Sequence, residues 1–378
     1  MRVEQQQWSA AAQWGAPSAP SLPGAQLVVV FGGGGHLIEP GVLDQLAARY
    51  PGAVLFGCST AGEIAGTVVS DDTVVATALQ FEGTGVRLAA TPVAGEQDSL
   101  AAGERLGLAL AGGDLAHAFV LSDGLAVNGS QLAEGMARTV GPNVVITGGL
   151  AGDGTRFART FVVAGGEAKS GIVAAVGLYG SRLRVGCASL GGWDSFGPER
   201  LVTRSRGNVL YELDGQSALA LYKRYLGEHA RELPASGLLF PLAVRQLGFD
   251  EPIVRTILSV DEAEQSLTFA GDIPEGSHAR LMKANFDRLI DGATDAAVAC
   301  RAAVDDTRAE FALLISCVGR KLVLKQRTEE EVEAVRDVIG PQATMAGFYS
   351  YGELSPFTLS GQCRLHNQTM TITTLSEA

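Results

Sequence analysis

Basic residues are scarce beside acidic ones: 29 Lys and Arg stand against 41 Asp and Glu, a formal net charge of −12. Neutralising phosphates needs a basic surface, so this balance excludes nucleic acid as the expected partner. Cysteine is sparse as well. Cys58, Cys187, Cys300, Cys317 and Cys363 are odd in number and widely separated, which gives neither a disulfide framework nor zinc-ligand spacing and suits a reducing cytoplasm. Apolar runs such as LVVVF and FALLIS fall far short of the roughly 20 residues of a membrane-spanning helix. The first residues show no apolar stretch after Arg2 and turn instead to Ala, Ser and Pro, unlike a signal peptide. Residues 1–23 are therefore expected to be a flexible lead-in that clips Trp8 or Trp14 onto the body. The chain has no GK[ST] phosphate loop and no CxxCH for covalent haem attachment.

What is present is a chain of 378 residues, 46% of them hydrophobic, long enough for a sizeable core and two domains. Its 48 glycines follow no collagen period and fall at the ends of apolar runs, the pattern of a loop-rich α/β protein.

One arrangement occurs three times: apolar strand, loop, amphipathic helix, Pro/Gly turn, second apolar strand, glycine-rich loop. The first copy runs from QLVVVF through GGGGH and a helix opened by Pro40, with Leu43, Leu46, Ala47 and Tyr50 on one face, to AVLFGCSTAGEI. The second runs from AFVLSD through a helix capped by Ser130, with Leu132, Met136 and Val140 aligned, to VVITGGLAGDG. In the third, FALLISC leads to a helix whose Thr328 and Glu331 have capping-box spacing and whose Val332, Val335 and Ile339 share a face, then to MAGFYSYGEL. Gly57, Gly62 and Glu63 stand in the same spacing as Gly347, Gly352 and Glu353. Common ancestry of the copies and convergence on a frequent connection explain this equally well. Between copies two and three lie GIVAAVGLYG, VGCASL, the loop GGWDSFGPE and a helix around SALALYKRYLG. The expected fold is α/β, with mixed β-sheets covered by helices in two lobes, 24–218 and 219–378.

The segments LFGCSTAGEI, VVITGGLAGDG, GGWDSFGPERLVTRSRGNVLYELDGQSALALYKRYLG, FALLISCVGRK, MAGFYSYGELSP and LHNQTMTITTL resemble the FIST family over about residues 25–376. The resemblance implies an N-terminal and a C-terminal FIST domain forming a cytoplasmic sensory module that binds a small ligand. The branch it resembles most implies a b-type haem that senses nitric oxide and controls a partner histidine kinase or cyclic-di-GMP enzyme (diguanylate cyclase or phosphodiesterase). A haem-free module binding a small metabolite such as an amino acid is the alternative, and a Cys-dependent enzyme a distant third.

Haem iron needs an axial imidazole, thiolate or phenolate. His366, flanked by Arg364, Asn367 and Thr369, is the first candidate, with Asn367 or Thr369 fixing its tautomer; a plain buried histidine bonded to backbone is the competing account. His36 follows four glycines at a strand-to-helix turn and is the second, although Leu37 occupies the third glycine position of a dinucleotide fingerprint. His117, His229 and His278 read as surface or strand-edge residues. Cys317 lies near Arg320 and Lys321, cations suited to lowering its pKa or pairing haem propionates; a buried structural cysteine is the favoured account. Cys58, Ser59, Thr60 and Glu63 do not make a G-x-S-x-G elbow and lack a histidine base in recognisable spacing, so they read as a ligand loop rather than a catalytic one. Asp153, Tyr349, Tyr351 and Glu353 in the equivalent loops complete the expected ligand set, with glycine turns held by carboxylates as the structural alternative. Arg200, Arg204 and Arg206 read as an edge-strand group.

Overall fold

The computed structural model describes residues 1–14, 22–249, 251–305, 307–357 and 361–378. Each of the three repeated units forms the centre of a six-stranded mixed sheet. The parallel pairs are Leu27–Gly32 with Val54–Ser59, Leu115–Ser122 with Val145–Leu150, and Phe311–Cys317 with Thr344–Ser350. Each pair is flanked by an antiparallel strand of its own unit: Val74–Gln80, Ile172–Tyr179 and Met370–Glu377. The parallel strands are largely apolar on both faces, as buried parallel strands must be, whereas Met370–Glu377 buries Thr371, Thr373 and Thr374.

The far edge of each sheet is supplied by a different unit. The hairpin Glu63–Ala65 and Val68–Ser70, which follows the first parallel pair, joins the third sheet. Val162–Ala164 and Glu167–Lys169, from the second unit, join the first sheet. Gly352–Ser355 and Arg364–His366, from the third, join the second. The exchange is cyclic, so the three sheets close into one body with internal pseudo-threefold symmetry.

Inward side chains of the three sheets meet in a common core. Phe31 stacks on Phe348 with centroids 4.7 Å apart, and Phe56 meets Phe119 edge-on at 5.2 Å; Leu313, Ile315 and Val176 fill the space between them. Helices cover the outer faces: Val42–Arg49, Ser99–Leu110, Gly129–Val140, Phe286–Ala302 and Thr328–Ile339. Three glycines make the parallel pairs possible. A Cβ on Gly57, Gly148 or Gly347 would lie 1.7, 1.8 or 1.9 Å from the carbonyl oxygen of Val30, Val120 or Leu314, far inside contact distance. One equivalent position per unit therefore carries the same steric requirement.

Residues 194–283 form a second unit with its own eight-stranded sheet. The helix Ala218–Leu226 packs Leu219 and Tyr222 onto Phe269 and Leu281. Residue 218 falls inside this inserted lobe, and two of the body's sheets draw strands from both sides of it.

Several local expectations are corrected. Within the lead-in, Arg2–Trp8 is an edge strand paired with Val74–Gln80, and Trp8 and Trp14 are buried; residues 15–21 lie outside the described residues. The cap of Gly129–Val140 is Asn128, whose side chain accepts from the N–H groups of Ser130 and Gln131, because Ser130 is already inside the first turn. Helix Val42–Arg49 follows Gly41 rather than Pro40, and exposes Ala47 while burying Val42. Thr328 and Glu331 form no capping box, since Glu331 is drawn inward to Arg320. Asp194–Arg206, expected to begin as a loop, is a strand, where Arg200 and Arg204 pair with Asp214 and Glu212. His117 is buried and bonded to Thr147 at 2.9 Å, which corrects its reading as a surface or edge residue.

Candidate functional site

The three glycine-rich loops meet at one point. The N–H of Ala61 donates to the carbonyl of Tyr349 at 2.8 Å, that of Gly152 to Ser59 at 2.9 Å, and that of Tyr351 to Leu150 at 3.1 Å. In each case the donor lies four residues, and the acceptor two, after Gly57, Gly148 or Gly347. The result is a closed ring of backbone bonds about the pseudo-threefold axis. Buried backbone groups need partners, and here each loop supplies them to the next.

Two cavities open on this ring, one on either side of the segment Val318–Leu322. The first, about 380 Å³, lies between the body and the inserted lobe. The body contributes Leu125, Val127, Leu150, Phe157, Cys317, Val318, Leu322 and Tyr351; the lobe contributes Asn208, Leu238, Thr256, Ile257, Leu258 and Phe269. Its walls are mainly apolar. The Thr256 hydroxyl lines this cavity, is buried, and has no hydrogen-bond partner among the described residues, although buried polar groups ordinarily have one. Asn128 and Asn208 are already engaged, by Asp272 and by the carbonyl of Phe269.

Tyr351 forms the floor. Its ring stacks on Phe157 with centroids 4.5 Å apart, and its hydroxyl donates to Asp153 while accepting from the Asp153 N–H at 3.1 Å. Burial works against the Asp153 carboxylate, but the N–H groups of Arg159, Ala158 and Phe157 and the Tyr351 hydroxyl hold it below the usual range. Asp153 is thereby a turn-fixing anion beneath the cavity rather than a group exposed to a ligand.

The second cavity, about 560 Å³, is polar, with Thr60, Glu63, Asp71, Asp72, Arg156, Lys321 and Lys325 around it. Some of its charges are consumed internally: Lys321 pairs with Asp71 and donates to the Ala61 carbonyl at 3.0 Å. Glu63 accepts from Thr60 and from both the N–H and hydroxyl of Thr73. Burial nevertheless pushes its carboxyl up to about 7.

The structure divides the expected ligand set accordingly. Tyr351 and Cys317 reach the apolar cavity, and Thr60 and Glu63 the polar one. Cys58 is in the core, and Ser59 Oγ accepts from the Phe161 N–H. Tyr349 turns the other way, donating to Glu331 at 2.8 Å. Glu353 is fully buried with Ser350 and Thr369. Thr256, Asn208, Phe157 and Leu238 gave no signal in the sequence, because they reach the cavity only through the packing of the lobe on the body.

The residues present do not fit haem at the expected position. His366 Nε2 is bonded to the Ser355 carbonyl at 2.9 Å and its ring meets Phe357 edge-on. Burial lowers its pKa to about 3, and it lines neither cavity. Asn367 and Thr369 do not orient it: the Asn367 amide has no partner and Thr369 serves Glu353 and Ser189. His36 pairs with Glu39 at 2.6 Å against Trp8; it lines neither cavity, although its ring lies beside Gly33 at the edge of the polar one. Cys317 does reach the apolar cavity, but burial pushes its thiol up despite Arg320, opposite to the expected lowering. Among the described residues no group of three or more His, Cys, Asp or Glu is arranged to hold a metal ion, and no helix is long and apolar enough to cross a membrane.

Comparison with known proteins gives matches to two domain models, the FIST N domain over residues 26–216 and the FIST C domain over residues 218–356. An uncharacterized protein of Methanocaldococcus jannaschii is 28% identical over 202 residues, covering 50% of this chain and 38% of that protein. The chain thus spans well under half the length of this relative. Among solved structures, the cyanuric acid hydrolase of A. caulinodans aligns over 100% of this chain and 98% of its own, at TM-score 0.39 and 12% identity. A second cyanuric acid hydrolase structure aligns over 100% and 99%, at TM-score 0.29 and 8% identity.

Proposed function

The chain belongs to the FIST family of sensory signal-transduction modules, and from that premise we propose that its ligand site is the apolar cavity between the body and the inserted lobe. The observation that carries this reading is the cavity's composition: apolar walls drawn from two folded units, with one buried hydroxyl, Thr256, left without a partner. Small-molecule sites favour such a place, because a ligand there contacts both units at once. A ligand that touches both units favours the arrangement in which they are closest, and so converts occupancy into a change of shape. A partner signalling enzyme would read that change on the outer surface.

The ligand class that fits is a small, largely apolar metabolite with one polar end for Thr256, and the protein acts as a binding module rather than an enzyme. Support for the second point comes from Cys58, which is fully buried and has no base beside it.

The test is thermal-shift screening of a small-metabolite panel, comparing the parent with Leu322→Trp, which fills the cavity, and Thr256→Val, which removes the hydroxyl at constant shape. A compound stabilising the parent should fail with Leu322→Trp and bind about tenfold or more weakly to Thr256→Val. A ligand bound equally by all three proteins would overturn the assignment. Titration with haem gives a separate check: a Soret band lost on His366→Ala would replace this reading by the haem one.

A further inference from the structure

A third cavity, about 530 Å³, lies on the opposite side of the strand Ile253–Arg255 from the ligand cleft. Thr256 faces the cleft, while its neighbour Arg255 faces this cavity. Arg255 is only 2% exposed, yet its guanidinium meets no carboxylate among the described residues. Its hydrogen bonds go to two backbone carbonyls, Asp272 at 3.2 Å and Leu365 at 2.9 Å. Gly271 makes room for it, since a Cβ there would lie 3.0 Å from the guanidinium.

A second guanidinium, Arg364, lines the same cavity. It donates to Gln246 and lies 4.0 Å above the Phe249 ring, again without an ion pair among the described residues. Ser130 Oγ, also on the wall, is buried without a partner among the described residues. Two acids also line the cavity: Glu134 pairs with Arg138, and Asp272 accepts from Asn128 while its charge acts on Arg255 without a hydrogen bond to it; Glu251 acts on Arg364 only through its charge. Two neighbouring cations, one fully buried, repel each other. Burial, and then the Arg364 charge, lower the Arg255 pKa to about 10.

A buried cation is ordinarily paired, and the planar forks of two arginines suit the oxygens of a tetrahedral anion. We propose that the cavity bounded by Arg255, Arg364 and Ser130 binds a phosphoryl group, as free phosphate or as the head of a small phosphomonoester. The site opens apart from the ligand cleft, and the two walls are joined by Arg255–Thr256, by Gly271–Asp272 and by the hydrogen bond from Asn128 to Asp272 at 2.9 Å.

Calorimetric titration of the full chain with inorganic phosphate, at ionic strength held constant with sodium chloride, tests this. The expected result is saturable one-to-one binding that Arg364→Gln weakens about tenfold or more, while Arg182→Gln, at an exposed ion pair with Glu82 that does not line the cavity, changes it less than about twofold. Arg255→Lys keeps the charge but loses the fork, and should weaken binding in the same way if Arg364→Gln does not fold. Glycerol 3-phosphate binding more tightly than phosphate identifies a phosphomonoester as the source; equal affinity identifies the free anion. Absence of saturable phosphate binding by the parent, or parental affinity in Arg364→Gln or Arg255→Lys, would overturn the proposal.

Discussion

Glu63 and Glu353, 290 positions apart in the chain, accept the same three hydrogen bonds from the same kinds of donor. Glu63 takes the hydroxyl of Thr60, three residues before it, and the N–H and hydroxyl of Thr73 at 3.0 and 2.7 Å. Glu353 takes the hydroxyl of Ser350, also three residues before, and the N–H and hydroxyl of Thr369 at 3.2 and 2.9 Å. Thr73 and Thr369 occupy equivalent places at the start of the antiparallel strand of their units. The carboxylates fasten the crossing of a donated hairpin between sheets.

Both carboxyls are raised by burial, Glu63 to about 7 and Glu353 to about 8, from an ordinary 4.5. A raised folded pKa means that the folded state holds protons the unfolded chain releases. The contribution to stability is complete below about pH 4.5 and is lost as pH rises through 7 to 8. Buried His117 and His366, both lowered to about 3, act in the opposite sense, favouring the fold above pH 6.5 and opposing it as pH falls. The comparison with a variant isolates the carboxyl. Between pH 5 and pH 8 the melting temperature of the parent should fall relative to that of Glu353→Gln by about 2 °C or more; parallel curves would refute the linkage.

Alanine at Gly57, Gly148 or Gly347 forces a methyl group into a neighbouring strand's carbonyl. Each substitution should destabilise by about 3 kcal/mol or more, or give insoluble protein. Gly52→Ala, where a Cβ meets nothing within 4 Å, should stay within about 0.5 kcal/mol of the parent in urea unfolding.

Arg320 and Glu331 form an ion pair at 2.7 Å with both side chains fully buried. Tyr349 and Ser316 also donate to Glu331, and the carbonyls of Gly191 and Leu289 accept from Arg320. Removing one partner strands a buried charge, so Glu331→Ala should cost about 3–5 kcal/mol. Arg320→Met combined with Glu331→Leu should be less damaging than either single change, which denaturant unfolding of the three proteins would show.

The strand Arg2–Trp8 adds an edge to the first sheet, and Trp8 is 1% exposed. Trp8→Ala should cost about 3–5 kcal/mol, and removing residues 1–14 should lower the melting temperature. An unchanged melting curve for the truncated chain would restore the view of this segment as a lead-in.

All five cysteines are buried and their thiols are raised by burial. A thiol-reactive dye at pH 7.5 should label none of them rapidly in the folded protein and all five after denaturation. Fast reaction of Cys58 alone would revive the enzyme reading.

How much was legible follows from the range of the interactions involved. The repeated units were visible because a buried parallel strand must be apolar along its length and a helix over it must present an apolar face, both local demands on sequence. The matched spacing of Gly57, Gly62 and Glu63 with Gly347, Gly352 and Glu353 was a trace of a shared local geometry, and the structure shows why each position is constrained. Local competition already blurred the helix starts: Asn128 captured the cap expected at Ser130, and Glu331 left its expected box for a buried arginine.

The sequence by itself determined the α/β class, the threefold grammar and the family. Tertiary structure alone decided that each hairpin crosses to another unit's sheet, that residues 194–283 fold as one lobe across the expected division, and which loop residues face a cavity. Tyr349 and Tyr351, two positions apart, would share a face of one continuous strand; they diverge because the strand Thr344–Ser350 ends between them and the chain passes to another sheet at Gly352–Ser355, and Thr256 shares a cavity with Tyr351 only because two folded units pack together. Such contacts leave no periodicity in the chain, because the partners' positions are fixed by the packing of whole sheets rather than by neighbours in sequence.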